Sequence, residues 1–124
     1  MGLIENQKLE IMKEINRKLK IKNVINAMKA VFIAFNQANI DRVKFMLYRL
    51  GIRGYTLWDQ VMGRGSVDGE PREGTHTWPE MNSSILTVVE DEKVPELLRI
   101  CKKLDNRNLE MGVRAFVWNV EQTI

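Results

Sequence analysis

The sequence predicts an α+β fold: a ferredoxin-like βαββαβ sandwich with an antiparallel four-stranded sheet and an extra N-terminal helix. Three observations carry that expectation. Four short apolar runs, bounded by glycine, asparagine or acidic residues, have the length and composition of strands. Two stretches of helical periodicity fall between the first and second runs and between the third and fourth, giving two β-α-β halves of similar design. Ahead of the first strand lies a Lys- and Glu-rich segment whose apolar residues recur at helical spacing.

Each element follows from its own residues. Residues 3–25 read as an amphipathic helix through Ile4, Leu9, Ile11, Met12, Ile15 and Leu19. Three readings of residues 1–27 stay open: a helix packed on its own subunit or a neighbour, a basic arm for a membrane or partner, or an extension ahead of a natural start at Met28. Residues 28–124 form the domain proper. Lys29 to Phe35 is the first strand, and Asn39 is the expected N-cap of a helix from Ile40 to Leu50, whose apolar positions are Ile40, Val43, Leu47 and Leu50. Gly51 stops it as a C′ glycine. Tyr55 to Met62 and Ser84 to Glu90 are the second and third strands. Glu90, Asp91 and Glu92 are expected to cap and start the next helix, Lys93 to Leu104, with Pro95 in its first turn. Its predicted buried stripe is Val94, Leu97, Leu98, Cys101 and Leu104. Asp105 to Gly112 reads as a loop and Val113 to Val120 as the last strand. Both faces of the strands carry apolar residues, so each face needs a cover; self-association or the N-terminal helix would supply the second.

Composition narrows the class. The 124 residues make one domain with a real core, 44% hydrophobic and 28% charged. The single cysteine excludes an internal disulfide and fits a reducing cytoplasm. No apolar run approaches the roughly 20 residues that span a bilayer. Residues 1–27 hold six basic and three acidic side chains and residues 28–124 hold 13 of each, so the whole excess of +3 lies in the N-terminal segment. A neutral domain gives no sign of a nucleic-acid partner.

Function concentrates between Gly51 and Glu80. Five of the eight glycines, two of the three prolines, the one histidine and two of the three tryptophans lie between Gly54 and Pro79. A loop this long between two strands of a small domain binds something or is disordered. The run Gly63-Arg64-Gly65 offers backbone N–H groups and a guanidinium to an anion.

The residues Gly51-Ile52-Arg53-Gly54-Tyr55-Thr56, then Val61, then Gly63-Arg64-Gly65, with Val88-Val89-Glu90-Asp91 closing the third strand, resemble the PII nitrogen-regulatory signalling family over residues 28–121. That resemblance implies no enzyme activity. It implies a cytoplasmic homotrimer whose inter-subunit clefts take a small-molecule effector such as an adenine nucleotide, and a T-loop that engages a target protein, often a transporter or enzyme. Carried onto this sequence, the ligand-binding residues are Thr56, Gly63, Arg64, Gly65, Arg107, Gly112 and Arg114, and the loop 66–80 is the partner-binding segment. There are departures. The loop has no tyrosine for uridylylation, the stretch Asp105 to Gly112 lacks the family's lysine, and the chain ends Glu121-Gln122-Thr123-Ile124 without the family's basic pair.

The remaining residues keep two readings each. His76 is a partner contact or solvated side chain, or a metal ligand with Asp68, Glu73 or Glu80, as a CutA-like trimeric metal-binding protein would require. Trp78 anchors a partner or packs the loop onto the sheet. Trp58 and Trp118 are core or subunit-interface residues. Cys101 is a structural thiol without a basic neighbour to activate it. No nucleophile–base pair supports catalysis.

Overall fold

The computed structural model describes residues 2–107 and 112–124; the middle of the segment predicted as a loop, residues 108–111, lies outside them. Helix α1 (Gly2–Asn26) leads into strand β1 (Met28–Asn36), helix α2 (Ile40–Arg49), strands β2 (Thr56–Val61) and β3 (Asn82–Glu90), helix α3 (Val94–Arg107) and strand β4 (Arg114–Asn119). The strands form one antiparallel sheet in the order β2-β3-β1-β4. This is the predicted ferredoxin-like sandwich.

Alternation along the strands fixes which side faces the helices. Val31, Ile33 and Phe35 of β1 pair with Thr87, Ile85 and Ser83 of β3, and all six are buried. Against them pack Val43, Met46 and Leu47 of α2 and Leu97 and Cys101 of α3. Buried hydroxyls are satisfied: Thr87 Oγ1 donates to the Gly54 carbonyl at 2.6 Å and Ser83 Oγ to the Asp59 carbonyl at 2.6 Å. These two bonds hold β2, whose register shifts between Trp58 and Val61, against β3.

Helix ends differ in detail from the sequence expectation. Asn39 makes no side-chain cap; Asn36 accepts a bond from the Ala38 N–H at 3.0 Å instead, because a short 3-10 turn, Gln37–Asn39, precedes α2. Glu90 likewise makes no side-chain cap, and Asp91–Lys93 forms a second 3-10 turn before α3. Gly51 does stop α2, at φ +75°, where the Lys93 ammonium reaches the Leu50 carbonyl at 3.0 Å. Helix α3 runs to Arg107, so Asp105, Asn106 and Arg107 are helical rather than loop residues. Leu98, expected in the buried stripe, is 36% exposed; one position on from Leu97, it turns to the edge of the helix.

The opposite sheet face is open. Phe32, Leu86 and Phe116 lie side by side across β1, β3 and β4, with Trp58 on β2 and Trp118 on β4 flanking them. Trp58 and Trp118 are therefore not core residues of the chain; they are 44% and 48% exposed. Helix α1 does not cover them with the apolar side chains described, since Ile4, Ile11, Met12, Ile15 and Leu19 are all more than half exposed and so not packed on their own subunit. No described helix is long and apolar enough to cross a membrane.

Candidate functional site

The chain between β2 and β3 folds into two small turns. Gly63 and Arg72 form an antiparallel bridge, the Gly63 N–H donating to Arg72 at 2.9 Å and the Arg72 N–H to Gly63 at 2.7 Å. Inside this first turn Arg64 Nε donates to the Gly69 carbonyl at 2.8 Å, and the Gly69 N–H to Ser66 at 3.2 Å. The second turn is closed by the Gly74 N–H donating to Glu80 at 3.1 Å and the Thr75 N–H to Trp78 at 2.8 Å. The Trp78 N–H returns a bond to Thr75 Oγ1 at 3.0 Å. His76 lies exposed in that turn and the Trp78 side chain is half-buried.

Arg72 joins the loop to the rest of the domain. Its guanidinium donates to Asn82 Oδ1 at 2.9 Å and lies 3.9 Å from Glu80 Oε2. It also stacks against Gly112, at φ +53°, so closely that a Cβ there would meet the guanidinium nitrogens at 2.6 and 2.7 Å. Only a glycine admits that approach and that backbone conformation together. On the far side of Gly112, the Val113 N–H donates to Asp105 Oδ1 at 2.9 Å and Arg114 Nη1 lies 3.3 Å from Asp105 Oδ2.

These contacts frame a concavity of about 550 Å³ beside the open sheet face. Phe32, Ala34 and Phe116 supply its apolar wall; Gly63, Arg64 and Gly65 meet Gly112 and Arg114 across it. Five of the seven residues predicted to bind ligand thus converge, from chain positions some 50 residues apart. Thr56 stands on β2 opposite Leu86, on the open face but outside this lining. Arg107 lines a different cleft, between α2 and α3. Arg72 and Asn82 were not singled out in the sequence; the spacing of Arg72 from Gly63 in a closing hairpin was the one available signal, and Asn82 gave none.

The electrostatics are balanced. Arg72 and Arg114 have Glu80 and Asp105 as ion-pair partners, so an arriving anion exchanges one carboxylate for another rather than meeting bare positive charge. Among the described residues no three His, Cys, Asp or Glu side chains cluster as metal ligands, which leaves His76 without the company a zinc or copper site needs. Cys101 is buried beneath α3, and desolvation pushes its thiol up to about 11, the opposite of nucleophile activation.

The family described as nitrogen regulatory protein P-II matches residues 28–124. No curated protein matches the sequence. Among solved structures, CPII from Thiomonas intermedia, a nitrogen regulatory PII-like protein, bound to ADP, AMP and bicarbonate, superposes with a TM-score of 0.60 at 21% identity, covering 78% of this chain and 93% of that one. The same protein bound to ADP, AMP and acetate gives a TM-score of 0.63 at 21% identity, over 78% and 89% of the two chains. A protein described as a PII-like signaling protein from Thermus thermophilus gives 0.54 at 26% identity, over 75% and 85%.

Proposed function

The chain belongs to the nitrogen regulatory protein P-II family, and from that premise we propose that it is a signalling protein that senses an adenine nucleotide, with a small anion such as bicarbonate, and reports it to a target protein through the loop 66–80. The single observation that carries the reading is the convergence of Gly63-Arg64-Gly65 with Gly112 and Arg114 on one concavity at the foot of the loop. The Gly63 N–H is held by the Arg72 carbonyl, which leaves the Arg64 and Gly65 N–H groups to meet phosphate, and the two arginines offer forked donors. The ligand sits in clefts completed by neighbouring copies in a homotrimer, whose association covers the apolar face of Phe116, Trp58 and Trp118.

Arg72 couples ligand to loop. It is bridged to Gly63 through its backbone and tied to Glu80 and Asn82 through its side chain, so an anion that draws the guanidinium away from Glu80 loosens the closure of the loop. Differential affinity for the closed and open loop then shifts the population the target meets. His76 and Trp78 are the loop residues the target contacts, and the target is a transporter or enzyme.

Isothermal titration with ADP, AMP and ATP, each with and without bicarbonate, tests the reading. Saturable binding of at least one nucleotide is expected, weakened about tenfold in Arg114→Ala through loss of a charge-assisted contact. Absence of binding by all three, together with a monomer in light scattering, would sink it. No observation favours the metal-binding alternative.

A further inference from the structure

Helices α2 and α3 leave a second cleft on the face of the domain away from the open sheet. Met46, Ile100 and Leu104 form its apolar wall, joined by Phe45, which is 63% exposed. Its volume, about 450 Å³, lies within the range of small-ligand pockets. The charged residues lining it are all arginines: Arg42 and Arg49 from α2 and Arg107 from α3. Among the described residues none of the three has an ion-pair partner. The nearby acids on α3 are engaged elsewhere, Glu96 with Arg99 at 2.6 Å and Asp105 with Arg114 and the Val113 N–H.

The surrounding charge has the same sign. Together α2 and α3 carry seven basic and three acidic side chains, although residues 28–124 as a whole hold 13 of each. The formally neutral domain is thus divided, with its positive charge gathered on the helical layer. An apolar floor rimmed by unpaired guanidinium groups complements a molecule with an apolar body and an acid head, and it suits neither a neutral lipid nor a metal ion. A nucleic-acid backbone would use the arginines and leave Phe45, Ile100 and Leu104 uncovered.

We propose that the cleft between α2 and α3 is a binding site for a soluble amphipathic carboxylate, its chain lying along Phe45, Met46, Ile100 and Leu104 and its carboxylate held by Arg49 and Arg107. This site is separate from the concavity beside Gly63 and does not depend on the nucleotide reading. A second ligand class there gives the protein another input, and its position on α2 and α3 places it on helices whose opposite faces pack on β1 and β3.

Decanoate is the probe, kept below its micelle concentration, with decan-1-ol as the uncharged control and full-length protein throughout. Methyl NMR signals of Met46, Ile100 and Leu104 should shift saturably with decanoate, and decan-1-ol should bind at least about tenfold more weakly. The double variant Arg49→Glu, Arg107→Glu should lose about tenfold or more in decanoate affinity, and Phe45→Ala should weaken both probes. All three residues are exposed, so circular dichroism should show an unchanged fold. Unmoved methyl signals, equal binding of the alcohol, or undiminished binding by the double variant would each overturn the proposal. If decanoate leaves the signals unmoved while the double variant changes the sedimentation mass, the cleft is an interface between copies and the ligand site is refuted.

Discussion

Gly112 lies against the Arg72 guanidinium in the candidate site, and the pair shows how one residue type is required by two constraints at once. An alanine at position 112 would have to hold φ +53° and to displace the guanidinium standing 2.6 Å from its Cβ. Gly112→Ala should cost about 1 kcal/mol or somewhat more from the backbone alone, lowering the melting temperature by several degrees. It should also push Arg72 off Asn82 and loosen the loop, so thermal unfolding and amide exchange at Gly63 should change together. Cys101 makes a different residue-scale prediction. Its folded thiol is raised to about 11 by burial, so the folded state resists ionisation that the unfolded chain undergoes at lower pH. The stability this contributes is full below the unfolded pKa and is lost as pH rises towards 11. A thiol reagent at neutral pH should react with Cys101 only as fast as the protein opens, while Cys101→Ser should flatten the alkaline fall in stability.

At the scale of elements, each helix is held by few side chains. Leu97 and Cys101 are the buried residues of α3, with Val94 and Leu104 half-buried beside them. Leu97→Ala removes a fully buried side chain from a packed core and should cost about 2–5 kcal/mol by urea denaturation. Leu98→Ala, one residue on, should cost no more than about 1 kcal/mol, and equal losses at both sites would contradict the packing described. The periodicity of α3 was legible in the sequence, but it did not separate Leu97 from Leu98, because both lie within the arc of an apolar stripe until the sheet fixes its centre. Helix starts were less legible. Asn39 is as good a capping residue as Asn36, and the choice rests on a 3-10 turn that sequence pattern does not register. The loop between β2 and β3 showed its glycines and its length plainly; its closure by Arg72 depends on a single bridge to Gly63 that carries no periodic signal.

For the whole molecule, the open face is the dominant fact. Trp58, Phe116 and Trp118 are 44%, 59% and 48% exposed on the face where Phe32 and Leu86 lie between the two edge strands. Trp118→Lys on this face should leave the isolated fold intact and shift the protein to smaller species by analytical ultracentrifugation, since a buried lysine at an interface must be desolvated without a partner. An unchanged mass would contradict the proposal that copies associate through the open face. Helix α1 enters separately: it carries net positive charge, and its Ile4, Ile11, Ile15 and Leu19 are exposed.

Strand and helix order, the helix stop at Gly51 and the family motif from Gly51 to Gly65 were determined by the sequence alone, because local periodicity and backbone chemistry act over a few residues. Only the tertiary structure decided which residues share a surface. It brought Gly63-Arg64-Gly65 to Gly112 and Arg114, placed Arg107 in a different cleft between α2 and α3, and divided the formally neutral residues 28–124 into layers of unequal charge. The reason is physical: the sheet sets neighbours by strand order and pleat, and residues some 50 positions apart meet through a register that no local pattern encodes.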